Sequence, residues 1–336
     1  VTPPEQGGAR RTTPLPLSSG AEGEAVRDIQ DRLVRSGFGP ITDPAGEFGP
    51  ATEAAVRRFQ AERQMRVDGI CGSQTWDALT EATWQLGDRL LYLCRPMLRG
   101  DDVTHLQVRL SALGFDAGRV DGIFGPDTER ALLDFQRNAG LTSDRICGPE
   151  VVATLDRMAS RGGSTTKAGV REREALLSAP RELAGRRILI AEEGGLGALA
   201  DSLGRTLRDL GAEILVSHQP DGSAQAREAN GFDAQVCLAL HLRDTPGVHA
   251  SYWSTTGYES VGGRRLAQLL VERCQADLDL HPAEAAGMRL TLLRETRMPA
   301  VVCEIGPPDL AVVGAARLAE ALSDALSRWV ADPVEH

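Results

Sequence analysis

Two residues able to do chemistry stand at the ends of short apolar runs. Val236-Cys237-Leu238-Ala239-Leu240 leads to His241, and Ala300-Val301-Val302-Cys303 leads to Glu304. Unbroken apolar runs of this length are the pattern of strands buried on both faces of a parallel sheet. In open α/β sheets, ligands and catalytic groups gather outside the carboxyl ends of such strands. An imidazole and a carboxylate delivered there form half of a metal-hydrolase site, because a catalytic zinc takes three protein ligands and keeps a fourth position for water.

The elements that must position these groups begin at Arg186, where strand patterns start to alternate with helical ones, the signature of an α/β domain. Ile188–Ile190 reads as a first strand and Leu199–Leu210 as an amphipathic helix closed by Gly211. Glu213–Val216 is the next strand, and 224–230 a helix before the His241 strand. Further on, 249–254, 290–293 and 300–304 read as strands. Helices are expected over 263–274 and from about 313 to 329.

Upstream, the chain repeats itself. Phe48-Gly49-Pro50-Ala51-Thr52-Glu53 and the helix leading to Phe59-Gln60 recur as Phe124-Gly125-Pro126-Asp127-Thr128-Glu129 and a helix leading to Phe135-Gln136. Matched blocks in one order mark a duplication. Each copy reads as three helices, the second opening on a Gly-Pro start suited to a first helical turn. The expected layout is a disordered tail over 1–20, repeats over 21–86 and 98–160, a flexible linker over 161–185 and an α/β domain over 186–331. The fold class is therefore multidomain, α and α/β: two three-helix domains followed by an α/β domain.

Composition narrows the function. A 42% hydrophobic and 25% charged chain is ordinary for a globular protein. A net charge of −10 gives no electrostatic support to nucleic-acid or anionic-membrane binding. No apolar run is long enough to span a membrane. No secretory hydrophobic core follows Val1, so a cytoplasmic location is expected, or an exported one if a signal was removed before Val1. The six cysteines lack close CxxC spacing and read as reduced structural thiols, with a Cys71–Cys147 pairing left open.

The repeats, with LQxxL, VDGxFG, ALxxFQ and I.G blocks in the second copy, resemble the peptidoglycan-binding domain of cell-wall hydrolases. The first copy departs at the loop, where Ile41 to Glu47 replaces the usual VDG. The resemblance makes the loop residues Asp121, Phe124 and Phe48 candidates for the rim of a saccharide groove. The segments Arg227-Glu228-Ala229-Asn230 and Leu293-Arg294-Glu295-Thr296-Arg297-Met298-Pro299-Ala300 through Gly306 resemble the zinc-dependent N-acetylmuramoyl-L-alanine amidase family. Two such repeats ahead of that domain are similar to the actinobacterial CwlM-like proteins.

The resemblance implies roles residue by residue. His241 matches a zinc ligand and Glu304 the carboxylate that handles the proton. Where the family carries its first histidine this chain reads Ala191-Glu192-Glu193-Gly194-Gly195, so the metal set reduces to His241 with Glu193 or Glu192. His218 and His249 lie outside the family pattern but are further imidazoles. Arg243, two residues after His241, sets a like charge near any cation and offers Glu304 an ion-pair partner.

Three functions follow as expectations. The first is a catalytically silent amidase-fold protein with no cofactor, regulating peptidoglycan precursor synthesis. Its implied partner is a cytoplasmic enzyme of the enolpyruvyl transferase type, with control by a Ser/Thr kinase at Thr12, Thr13, Ser164, Thr165 or Thr166. The second is a working zinc amidase acting on peptidoglycan fragments. The third is a peptidoglycan-binding scaffold.

Overall fold

The computed structural model describes residues 15–159, 167–255, 257–278, 280–309 and 314–334. The chain forms two compact units, one through Trp84 and one from Gln85 onward.

The first unit is one repeat: α1 (Glu24–Arg35), α2 (Pro50–Glu62) and α3 (Ser73–Ala82). Their apolar faces close on Ile29, Leu33, Phe48, Val56, Phe59 and Leu79. The buried Gln30 amide holds the loop before α2. Its Nε2 donates to Pro44 O (3.2 Å), Glu47 O (3.0 Å) and Thr52 Oγ1 (3.1 Å), while its Oε1 accepts from Gly46 N at 2.8 Å.

The second unit opens with the other repeat: α4 (Asp101–Ala112), α5 (Pro126–Asn138) and α6 (Pro149–Ala159). Gln107 repeats the clamp. It donates to Asp121 Oδ1, Ile123 O and Thr128 Oγ1, and accepts from Asp121 N and Gly122 N. Gly122, at φ +70°, lies in the left-handed region that favours glycine.

Within the expected linker, where the sequence also suggests a short helical segment over 171–177, stands α7 (Lys167–Ser178). Leu176 packs into the neighbouring core. The Glu172 carboxylate accepts from Tyr258 Oη (2.8 Å), Ser260 Oγ (2.6 Å) and the backbone N–H groups of Val261 and Gly262. The anchor is physical: a carboxylate satisfies the otherwise unpaired N–H groups where a helix begins.

The α/β region follows as β1 (Arg187–Glu192), α8 (Gly197–Asp209), β2 (Glu213–Ser217), α9 (Gly222–Gly231), β3 (Val236–Leu242), β4 (Gly247–Thr255) and β5 (Tyr258–Glu259). It continues through α10 (Val261–Leu278), β6 (Ala283–Met288), α11 (Thr291–Glu295), β7 (Ala300–Gly306) and α12 (Ala315–Ala331). The sheet runs β2-β1-β3-β7-β4, with β6 along the far side of β4 and β5 at its end. β2, β1, β3 and β7 are mutually parallel, whereas β4 runs antiparallel to β7.

One face is covered by α8, α10 and α12 through Leu199, Leu203, Leu266, Leu270, Leu322 and Leu326. Leu292 and Leu293 of α11 and Ala226 and Ala229 of α9 cover the other face, joined there by Val120 of the second repeat.

Two sequence expectations need correction. Leu290–Leu293 is not a strand; 291–295 is a helical turn, because so short an apolar run fits either period. β6 was not anticipated, since Ala-Glu-Ala-Ala-Gly-Met lacks the β-branched residues that mark strands.

Candidate functional site

The sheet's parallel strands end along one rim, and the reversed β4 starts there. Register places His241 of β3 beside Glu304 of β7, and Glu304 beside His249 of β4. His241 and Glu304, named from opposite ends of the sequence motif, are therefore neighbours across one ladder. On β1, Glu192 lies one residue beyond the register partner of β2's Ser217, and His218 follows that serine.

Histidine–carboxylate pairs line this rim. His241 Nε2 lies 3.2 Å from Glu193 Oε1. His218 Nδ1 lies 2.8 Å from Glu192 Oε1, whose second oxygen accepts from Gly194 N (2.7 Å) and Leu196 N (3.3 Å). His249 Nδ1 lies 3.6 Å from Glu304 Oε2, and its Nε2 is 4.0 Å from Glu284 Oε2. Ser251 Oγ adds a hydroxyl 3.3 Å from His249 Nδ1.

Electrostatics distinguish Glu192. Burial by itself would raise its carboxyl, but hydrogen bonds from His218, Gly194 and Leu196, with the nearby imidazole charge, leave it below its ordinary value. Glu192 is thus held as a carboxylate by donors that converge on it from β2 and the turn into α8.

Among the described residues, no three His, Cys, Asp or Glu side chains come together in a way that could hold a metal ion. The metal candidates His241 and Glu193 are brought together, with Nε2 and Oε1 3.2 Å apart. Arg243 is not the ion-pair partner of Glu304; its guanidinium lies on Thr245 Oγ1 at 3.0 and 2.9 Å.

The saccharide candidates take other roles. Phe48 and Phe124 are buried at 2% and 0% exposure in the cores of their repeats, so neither ring offers a face to a sugar. They are the apolar anchors behind the loop, which is why both copies carry them. Asp121 accepts from Gln107 and from Ile123 N (2.8 Å). Burial raises its carboxyl above the ordinary value, against those hydrogen bonds and the charges of Arg294 and Arg119. All six cysteines are free, with Cys71 and Cys147 each buried in its own repeat. Thr12, Thr13, Ser164, Thr165 and Thr166 lie outside the described residues.

The reading from sequence missed the Glu192–His218 pair. Its only signal was the position of both residues at the ends of strands that prove to be neighbours. Of the residues that hold the second repeat against the sheet, Trp253 gave no signal and Arg294 only its place in the family-like segment.

Two helical repeats joined to this sheet, with a histidine and a glutamate in register at its rim, define a peptidoglycan-amidase architecture. The chain belongs to the N-acetylmuramoyl-L-alanine amidase family, and CwlM is among its relatives. Residues 22–79 and 99–155 match the family model described as "Putative peptidoglycan binding domain". The chain is 32% identical over 314 residues to the N-acetylmuramoyl-L-alanine amidase CwlM of Mycobacterium tuberculosis, covering 83% of this chain and 77% of that protein. It is 34% identical over 155 residues to a probable N-acetylmuramoyl-L-alanine amidase of Bacillus licheniformis, covering 41% of this chain and 44% of that one. Among solved structures, the N-acetylmuramoyl-L-alanine amidase of Clostridium difficile 630 aligns over 44% of this chain and 99% of its own, at 16% identity and a TM-score of 0.40.

Proposed function

We propose that this chain is a non-catalytic member of the amidase family that acts by binding, as a regulator of peptidoglycan precursor synthesis. The observation that carries the reading is the set of histidine–carboxylate contacts along the rim. Zinc hydrolysis needs three donors on one ion and an open water position. Here the histidines face glutamates, His249 lying between Glu304 and Glu284, and the Glu192 carboxylate is fixed further by two backbone N–H groups. The proposed partner is a cytoplasmic precursor enzyme of the enolpyruvyl transferase type, and a Ser/Thr kinase acting on the hydroxyl-rich segments is the proposed control. Among the described residues no helix is long and apolar enough to cross a membrane.

Elemental analysis of the purified full chain tests the reading. Zinc well short of one ion per chain, unchanged by His241→Ala, is expected. Stoichiometric zinc that the substitution removes would overturn it. Pull-down of a purified enolpyruvyl transferase by the full chain tests the partner separately.

One observation favours a second reading, a working zinc amidase. Glu193 and His241 are already within 3.2 Å of each other, and Glu304 occupies the register position next to that histidine. In that case zinc would polarise the scissile amide and supply the hydroxide. Turnover of muropeptides lost in Glu304→Gln would establish this second reading.

A further inference from the structure

The two repeats share one three-helix pattern and differ at the loop before the second helix, and the structure uses the second copy's loop differently. Its loop Arg119–Ile123 sits against the β4–α11 face of the sheet. Val120 is fully buried in one apolar cluster with Trp253, Leu292 and Leu293. All three carbonyls of the loop's centre are taken by the α/β region: Trp253 Nε1 donates to Val120 O (3.2 Å), and Arg294 donates to Asp121 O (2.7 Å) and Gly122 O (3.3 Å). Arg119 lies over the Trp253 ring at 5.5 Å and donates to Thr296 O. Beside the loop, Arg99 pairs with the largely buried Glu295 at 2.6 Å.

From inside the repeat, Gln107 takes the N–H groups of Asp121 and Gly122. The loop's central carbonyls and the N–H groups of Asp121, Gly122 and Ile123 are thus engaged on both sides, and no residue of 119–123 is exposed for a saccharide to reach. The first copy keeps the same inner clamp on Gln30 but carries other residues outside. Asp43 turns inward, accepting from Thr52 N (2.6 Å) and Ala51 N (3.3 Å), whereas Pro44, Ala45 and Glu47 are exposed.

We infer that the second repeat is a structural brace of the α/β domain, its Arg119–Ile123 loop closed to glycan, and that glycan recognition by the repeats falls to the first copy. The brace itself does not depend on whether the domain is catalytic. It attaches away from the rim, since Trp253 follows Tyr252, the register partner of Val301 near the start of β7, whereas the rim lies at Glu304.

Hydrogen exchange on the full chain, read by mass spectrometry, tests both parts. Without ligand, amides over 119–123 should exchange roughly tenfold or more slowly than those over 43–47. Arg99→Glu and Glu295→Arg should each speed exchange at 119–123 and at 291–296 together, and the double exchange of charges should restore protection. Unchanged exchange at 119–123 in both single variants would overturn the brace. With soluble muropeptides released from purified sacculi as probe, new protection should fall within 41–48. Protection at 119–123 instead, or none in either loop, would overturn the assignment of glycan recognition to the first copy.

Discussion

His241 and Glu304 stand side by side in register on adjacent parallel strands, and each also reaches a partner outside that pair, Glu193 for the histidine and His249 for the glutamate. This places four titratable side chains along one short rim while leaving each acid facing an imidazole. In a working zinc site the imidazole nitrogens must point at the metal, so the pairing state of His241 decides what the rim can do.

Glu192→Gln should destabilise the protein by about 1–3 kcal/mol near neutral pH, the usual cost of disturbing a buried, charge-assisted hydrogen-bonded group. The folded carboxyl lies below its ordinary value of 4.5. Its contribution is therefore fully present above that value and is lost as pH falls through the folded pKa. Urea unfolding of the wild type and the variant across the acid range should show the gap closing on the acid side. A gap that widens with acid would contradict the assignment.

Phe124→Ala should lower unfolding stability by about 3–5 kcal/mol, the range for emptying a buried aromatic site. The effect should appear as a lower midpoint in thermal or denaturant unfolding. Normal stability accompanied by a specific loss of saccharide binding would return the ring to the surface role suggested by its place in the loop.

Gln107→Ala should cost about 2–3 kcal/mol, because it strands the N–H groups of Asp121 and Gly122 in a buried loop. Gln30→Ala should have a comparable effect in the first repeat, where the same amide holds Gly46. Differential scanning calorimetry of both variants checks this, and a neutral result in either would show that water replaces the clamp.

Much of the fold was legible because its elements carry strong periodic signals. The β3 and β7 runs are apolar throughout, and the repeats announce themselves by duplication. Leu290–Leu293 was misread because four residues cannot separate a strand from a helical turn, and β6 was invisible because Ala and Gly carry little strand preference. At the site, His241 and Glu304 were visible as strand ends. Their neighbour His249 was visible only as a further imidazole and Glu284 not at all, since only the reversal of β4 brings the start of a strand to a rim otherwise made of strand ends. The docking of the second repeat was not legible in the sequence, because Arg119 looks like an ordinary surface arginine, and Arg294, though part of the family-like segment, shows no partner until the loop carbonyls are known.

The paired glutamines Gln30 and Gln107 have a wider consequence. Because each amide grips its loop from behind, the backbone shape survives whatever side chains face away from it. Duplication could then leave one skeleton in two places while the outward residues diverged, acid and proline in one copy, arginine and valine in the other. A single inward-facing amide thereby frees each copy's front to specialise without renegotiating its fold.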